Sequence, residues 1–490
     1  MKRRRGYQLE NLGLLVNELR KLPNETQWVE FKHNNYDPHM IGQDISALAN
    51  SAALHEKSYA YMLWGIDDTT HDIVGTTYNF QTMKKGNQEI ENWLRSLLSR
   101  NADFEFHTVC MNGVDVGVLI ISRAVNQTVM FEKTDYIRVG SYTKKLNEYP
   151  ALQAQLWDRI RNLKFEECFA KQDLELSEAV RMLDCAAYFD ITGIPQPTDM
   201  VGISHYMVEE GVLVKQDNGL YSITNLGAIL LAKRMLDFPK ISRKSIRVVQ
   251  YQGKNRMNML KEDVGEKGYV VGFEGLIKFI EALIPTQELI NGALREKKSA
   301  YPILAIREAV ANALIHQDFS ITGTGPVVEI FDNRIEITNS GTPLVDIKRI
   351  VDNPSKSRNE KLASLMRRLR MCEELGTGGD KIVLTCEFLQ LPAPKIELYE
   401  DSTRVTLFSE MSFSNIPMED RLWACYLHAC IKHVQGENLT NSTLRERFGV
   451  KDSSSGSISR LIKEAVTLEL IRPLDPTTAP RYMKYIPFWA

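Results

Sequence analysis

At 490 residues the chain exceeds what one hydrophobic core organises, so three or four domains are expected. Apolar residues at 43% and charged residues at 25% are those of an ordinary globular protein, and a net charge of −2 excludes a globally basic nucleic-acid binder, leaving local patches only. No apolar run approaches the ~20 residues of a membrane span, the basic start Lys2-Arg3-Arg4-Arg5 is not followed by the apolar core of a signal peptide, and seven scattered cysteines without a CxxC pair point to a cytoplasmic protein without disulfides or structural zinc.

Residues 8–22 place Leu9, Leu12, Leu15, Val16 and Leu19 at helical spacing and predict a helix ending before Pro23. Trp28-Val29-Glu30-Phe31-Lys32 reads as a strand, with Trp28, Glu30 and Lys32 on one face and Val29 and Phe31 toward the core. Glu25, five residues before Glu30, reaches the same side only from the turn after Pro23-Asn24. A helix follows with Ile41, Ile45, Leu48 and Ala52 buried, then a strand at Tyr59–Gly65 that runs into the acidic turn Asp67-Asp68. Val116–Ser122 and Tyr136–Val139 read as later strands of this unit.

Residues 165–238 form a helical stretch and a hairpin joined by Asp217-Asn218-Gly219, an arrangement of winged-helix kind. A strand at Ile246–Tyr251 opens a third, α/β unit that runs to about Ser409. The tail from Glu419 is three helices and a β-pair, a second winged-helix candidate, with Ser459, Arg460 and Lys463 on the helix that would face a groove. Domain boundaries of 1–160, 161–240, 241–410 and 411–490 follow. Cys425, His428, Cys430 and His433 tempt a zinc reading, but one helix cannot wrap four ligands around an ion, and a core-facing helix is expected.

Two carboxylates, a lysine and a later acid are what a metal-dependent phosphodiester site needs: acids for the cation, an ammonium for the phosphate. An ordinary charged strand edge with an acidic turn would read the same way. The run Glu25-Thr-Gln-Trp-Val-Glu30-Phe-Lys32, with Ser46-Ala-Leu-Ala-Asn50-Ser51, Gly65-Ile-Asp-Asp68, Ile73-Val-Gly75 and Tyr136-Ile-Arg138-Val-Gly140-Ser141, resembles the AlbA-related domain of the Schlafen family over about residues 20–145. The resemblance implies a metal-dependent nuclease site, with Mg²⁺ or Mn²⁺ at Glu25, Glu30 and Asp68 and Lys32 as phosphate partner. It departs from the family where Ala52-Ala53-Leu54-His55 replaces the usual Gly-Gly, which predicts a longer loop.

Farther on, Glu308 and Asn312 lie one helical turn apart, as an acid that activates water and an amide that binds Mg²⁺ would. An amphipathic helix with a polar stripe looks the same. With the following Asp332-Asn333-Arg334 hairpin, Asn339-Ser340-Gly341, Arg358-Asn359 and Glu373-Glu374-Leu375-Gly376-Thr377-Gly378-Gly379, the series resembles the GHKL ATPases of gyrase, histidine kinase and MutL type. That resemblance implies ATP, with Glu308 as general base, Asn312 on Mg²⁺, Gly341, Gly376 and Gly378 in phosphate loops, and Asn339 where the family has an adenine-binding aspartate. No G-x-x-x-x-G-K-[ST] loop is present, which argues against a helicase label.

The resulting expectation is a multidomain α/β chain: a Schlafen AlbA-like domain, a GHKL-like α/β sandwich and winged-helix elements. Its function would be an ATP-regulated, nucleic-acid-binding endonuclease of bacterial antiviral defence, acting on RNA such as tRNA or on DNA as a homo-oligomer. Arg138, Lys144, Lys145, Arg460 and Lys463 are the expected nucleic-acid contacts. The alternatives are a non-catalytic, ATP-binding DNA-binding regulator and a GHKL-driven assembly protein whose first domain only packs.

Overall fold

The computed structural model describes residues 9–22, 25–80, 82–161, 164–216, 219–291, 294–354, 356–372 and 378–490. The chain divides into two compact units, one made of Met1–Lys164 with Asp173–Glu175 and Val214–Ser222, the other of Phe165–Gln172, Leu176–Leu213 and Ile223–Ala490.

In the first unit a four-stranded sheet has the order β1-β2-β4-β3, from β1 (Val29–Lys32), β2 (Tyr59–Trp64), β3 (Phe104–Met111) and β4 (Val114–Ser122). Only β1 and β2 run parallel, with Glu30 beside Met62 and Lys32 beside Trp64. Helix α1 (Leu9–Arg20) buries Leu12, Leu15, Val16 and Leu19 against Val29, Phe31, Tyr61 and Leu63 on one sheet face. Helix α2 (Pro38–Leu54) covers the other with Ile41, Ile45, Leu48 and Ala52 against Met62, Trp64, Leu119 and Ile121.

Glu30, on the other face of β1, is buried too, under Arg138, so Val29 and Phe31 are not the only interior residues of this strand. Helix α2 starts on the Asp37 carboxylate, which accepts from the His39 N–H at 2.8 Å, and on Pro38, whose fixed φ suits a first turn. Ala52, Ala53 and Leu54 are its last residues, not a longer loop as expected, because alanines propagate a helix where glycines end it.

The polar residues of α2 have a structural task. Ser46 Oγ donates to Val129 O at 2.6 Å, the Asn50 amide donates to Val129 O and Tyr136 O at 2.9 Å each, and Ser51 Oγ accepts from Arg138 N at 2.9 Å. These bonds dock strand β5 (Thr134–Val139), which pairs with β6 (Tyr142–Lys145), onto the helix and so fix where Arg138 enters.

In the second unit a six-stranded sheet has the order β8-β7-β9-β10-β12-β11: β7 (Arg247–Gln252), β8 (Asn258–Val264), β9 (Val327–Ile330), β10 (Arg334–Ser340), β11 (Lys395–Leu398) and β12 (Ser402–Phe408). Helices α3 (Tyr269–Leu283), α4 (Ile303–Ile315) and α5 (Gly378–Phe388) belong to the same unit, and α4 packs against β10. Ile335, Ile337 and Asn339 share one face of β10. On the opposite face Arg256 forms two 2.6 Å bonds to Glu329, and Glu336 receives Arg334 at 2.6 Å, Arg256 at 3.3 Å and Arg404 at 3.4 Å. Paired charges thus stand where a second helical layer would be apolar.

The chain ends in α6 (Met418–Val434), α7 (Asn441–Arg447) and α8 (Ser455–Thr467), followed by the antiparallel pair Ile471–Pro473 and Tyr485–Pro487. Cys425 and Cys430 lie in the apolar core of this bundle, and His428 contacts Glu387 at 2.6 Å, so the expected core-facing helix forms. Burial pushes the Cys430 thiol up to about 12. The earlier hairpin runs through Leu213–Lys215 and Tyr221–Thr224, which share a sheet with Phe169–Leu174; Asp217 and Asn218 lie outside the described residues.

Candidate functional site

In the first unit, Glu25 precedes the strand and turns back, its Oε1 accepting from the Phe31 N–H at 2.9 Å. Glu30 is only 4% exposed and is held by two cations, Lys32 at 2.5 Å and Arg138 in a closer contact. Arg138, 2% exposed, also bonds Thr143 Oγ1 at 3.3 Å and lies 3.8 Å from Asp44 Oδ1, which accepts from the Thr143 hydroxyl at 2.6 Å. Three carboxylates and two cations thus share one interior cluster. Burial raises the Glu25 carboxyl, and the neighbouring Glu30 charge raises it further. Burial also raises Asp44, against the pull of the Thr143 hydrogen bond and Lys32.

Asp68 stands apart. It is exposed on a turn closed by the bonds Asp67 N to Asp72 O and His71 N to Asp67 O, each 3.0 Å. Asp67, not Asp68, is the internal acceptor, taking the N–H groups of Thr69 at 3.0 Å and Thr70 at 2.8 Å. The turn leaves the end of β2 beside the end of β1, where Gly65 N donates to Lys32 O at 2.8 Å. Asp44, not Asp68, is the third acid that Glu30 meets. Among the described residues no group of three His, Cys, Asp or Glu side chains is placed to hold a metal ion. The arrangement shown does not fit the implied Mg²⁺ or Mn²⁺, because Lys32 and Arg138 already neutralise Glu30.

Asp44 was missed in the sequence, although its signal was there. It lies three residues after Ile41 and four before Leu48, a lone charge on an apolar helical stripe, which marks an interior ion pair.

In the second unit Glu308, 6% exposed, and half-buried Asn312 project from one face of α4. Helix α5 begins against them: a Cβ on Gly378 would stand 2.1 Å from Glu308 Oε1 and 3.1 Å from Asn312 Nδ2. Gly341 has φ +98°, and a Cβ there would lie 2.4 Å from Arg358 Nη1. Asn339, 8% exposed, donates to Ser340 O at 3.0 Å. Arg358 bonds His316 O at 3.2 Å and Thr342 O at 2.9 Å, and the Asn359 amide bonds Ile315 O and Gln317 O at 2.7 Å each. The Arg358-Asn359 pair therefore caps the carbonyls that α4 leaves open at its end. Burial, then the Arg358 charge, lowers His316 to about 4, so the ring is neutral at ordinary pH. Gly378 against Glu308 and Asn312, and Gly341 against Arg358 and Asp318, are close approaches that a Cβ would fill, and they fit a bound nucleotide.

Residues 25–147 match the family described as Schlafen, AlbA_2, and residues 323–407 match HATPase_c_4, the family described for the recG C-terminal region. The chain carries a Schlafen AlbA_2 domain fused to a recG-type HATPase domain. Domains of these two kinds are those of a nucleic-acid-related, ATP-linked protein. A solved structure, the DIP2311 protein from Corynebacterium diphtheriae, is similar at 16% identity and a TM-score of 0.41, over 93% of each chain. No curated protein matches the chain. No described helix is long and apolar enough to cross a membrane.

Within the AlbA_2 domain, Lys144 and Lys145 are exposed on β6, whereas Arg138, expected at the nucleic-acid face, is interior and serves Glu30. Arg460 and Lys463 are exposed on α8. Within the HATPase domain, Gly378 opens a helix and is not part of a loop, and Gly376 lies outside the described residues.

Asp380, in the first turn of α5, is raised to about 6, first by burial and then by the Asp352 charge. A carboxyl raised when folded favours folding while protonated, and that contribution is lost as pH rises through about 6. Asp380→Asn should therefore raise Tm at pH 8, by an increment on the order of 1 kcal/mol after discounting for partial exposure. Below the ordinary carboxyl value of 3.8 it should change nothing. Thermal scans at both pH values check this, and an increment independent of pH would refute it.

Proposed function

We propose that the chain is an ATP-responsive nucleic-acid-binding protein in which the HATPase domain binds the nucleotide and the AlbA_2 domain, with the terminal helices, binds RNA or DNA. The reading is carried by the pairing of two such domains with the glycine cradle beside Glu308 and Asn312. Bound ATP would bring Mg²⁺, which neutralises phosphate charge. In this reading Asn312 would offer an amide oxygen to that ion, Gly341 and Gly378 would admit the phosphates closely, and Glu308 would orient a water. Asn339 would accept from an adenine amine more weakly than a carboxylate does, which lowers the nucleotide affinity expected of the site. Exposed Lys144, Lys145, Arg460 and Lys463 supply phosphate contacts. The terminal three helices and β-pair support a winged-helix reading. A homo-oligomer in the cytoplasm completes this proposal.

A second reading is an endonuclease of antiviral defence, cutting tRNA or DNA with Mg²⁺ or Mn²⁺. What favours it is that Glu25 turns back beside Glu30 and that the Asp68 turn leaves the carboxyl end of β2, the side where α/β sheets bind ligands. It requires Arg138 and Lys32 to release Glu30 and Asp68 to close in.

Glu30→Ala tests this poorly, since it strands a buried arginine. Asp68→Asn is the informative variant, because an exposed side chain can be neutralised without unfolding. Wild type and Asp68→Asn are incubated with tRNA and duplex DNA, with and without Mn²⁺ and ATP. Mn²⁺-dependent cleavage lost by at least about a hundredfold in Asp68→Asn establishes the nuclease. ATP-sensitive binding without cleavage in either protein establishes the binder, and no binding of nucleic acid under any condition refutes both.

A further inference from the structure

Strand β8 is the outer strand of the six-stranded sheet, and every residue from Asn258 to Val264 is exposed. An edge that stays in water is normally blunted by charge, proline or a bulge and carries few large apolar groups. Strand β8 has three charged residues and a bulge, but it also keeps an apolar content such an edge usually lacks. This one carries Met259 at 56%, Leu260 at 60% and Val264 at 50% exposure, with Met257 at 83% just before it. The register against β7 skips Leu260 between Met259 and Lys261, leaving Lys261–Val264 as the regular stretch.

The order of charges in that stretch is self-complementary. Lys261 and Asp263 lie opposite Gln250 and Val248 and share one face, where Lys261 covers the Phe279 ring of α3. Glu262 and Val264 share the other, where Glu262 meets Arg247 at 3.4 Å. Two antiparallel copies related by a two-fold axis perpendicular to the sheet keep their faces in common, so residues of equal parity oppose each other. With the axis at Glu262, each Lys261 stands opposite the second copy's Asp263, and Leu260, displaced by the bulge, lies outside this regular pairing. The two Glu262 carboxylates meet at the axis, each already beside its own Arg247. Centring on Lys261 instead would oppose two lysines, and centring on Asp263 would oppose two aspartates, whereas the Glu262 pair has Arg247 beside it.

We propose that the chain forms a homodimer through β8, the two sheets continuing into one across Glu262. The inference rests on the edge alone and holds whichever functional reading is correct.

Sedimentation equilibrium of the full chain tests it. The wild type should be dimeric. Lys261→Asp and Asp263→Lys should each weaken the dimer about tenfold or more, and their combination should restore it. Glu262→Cys should form a disulfide between two copies on mild oxidation, mapped by mass spectrometry to the peptide containing position 262. Residues directly opposite in an antiparallel pair have Cα atoms about 4.5–5.5 Å apart, within disulfide reach. A monomeric wild type at about 100 µM would overturn the proposal. So would a dimer indifferent to both charge reversals with no 262–262 link, since that would place the interface elsewhere.

Discussion

Replacing Arg138 with methionine should destabilise the first unit by about 3–5 kcal/mol, because it leaves Glu30 and Asp44 buried together without the cation between them. For a unit of this size that corresponds to a fall in Tm of roughly 6–20 °C. The apolar volume is nearly kept, so the loss reports charge and not packing. The direction of its pH dependence follows. Without Arg138 the two carboxylates ionise against each other, their folded pKa values rise, and the variant should recover stability as pH falls and they take up protons. Differential scanning calorimetry at pH 5 and pH 8 measures both effects. A Tm change under about 2 °C, equal at the two pH values, would show that the guanidinium is not the counter-ion the geometry makes it. Adding Asp44→Asn to Arg138→Met should return much of the loss, since the remaining Glu30 still has Lys32 as its counter-ion.

The second large effect concerns the nucleotide site. Gly378→Val should weaken ATP binding by roughly tenfold to a hundredfold, an overpacking cost of about 1–3 kcal/mol placed on the groups proposed to meet the phosphates. The cause is direct: the first added carbon would lie 2.1 Å from Glu308 Oε1, so Glu308 or the start of α5 must shift. Gly275 is the control, a helical glycine with open space where its Cβ would be, and Gly275→Ala should leave binding unchanged and stability equal or slightly higher. Calorimetric titration of ATP into the two variants separates them. Unchanged affinity in Gly378→Val would remove Glu308 and Asn312 from the site.

The two predictions differ in how far their residues could be read from the sequence. Gly378, Glu308 and Asn312 were all singled out there, because a glutamate and an asparagine one turn apart and a glycine-rich run are local patterns. That α5 rests its first glycine against Glu308 was not readable, since it depends on how two helices meet. Arg138, within the Tyr136–Ser141 motif, is placed by the sequence among the nucleic-acid contacts. Its actual partner lies 108 residues earlier, and no periodicity encodes a pairing across that distance. Asp68 was grouped with Glu30 on motif order, but its turn is stabilised by Asp67, which leaves Asp68 in solvent.

What the sequence determined by itself is the local grammar: the buried stripe of α1, the β1 alternation that places Glu30 and Lys32 together, the Asp332-Asn333 hairpin and the terminal helices. Each is set by side-chain period and turn chemistry within a few residues. The tertiary structure alone decided which partners the interior charges take. Helix α2, through Ser46, Asn50 and Ser51, brings Arg138 onto Glu30 and Asp44. A carboxylate at a strand edge and a carboxylate in an ion cluster have the same sequence spacing. They are distinguished by what packs over them, because only burial removes the water that would otherwise screen each charge.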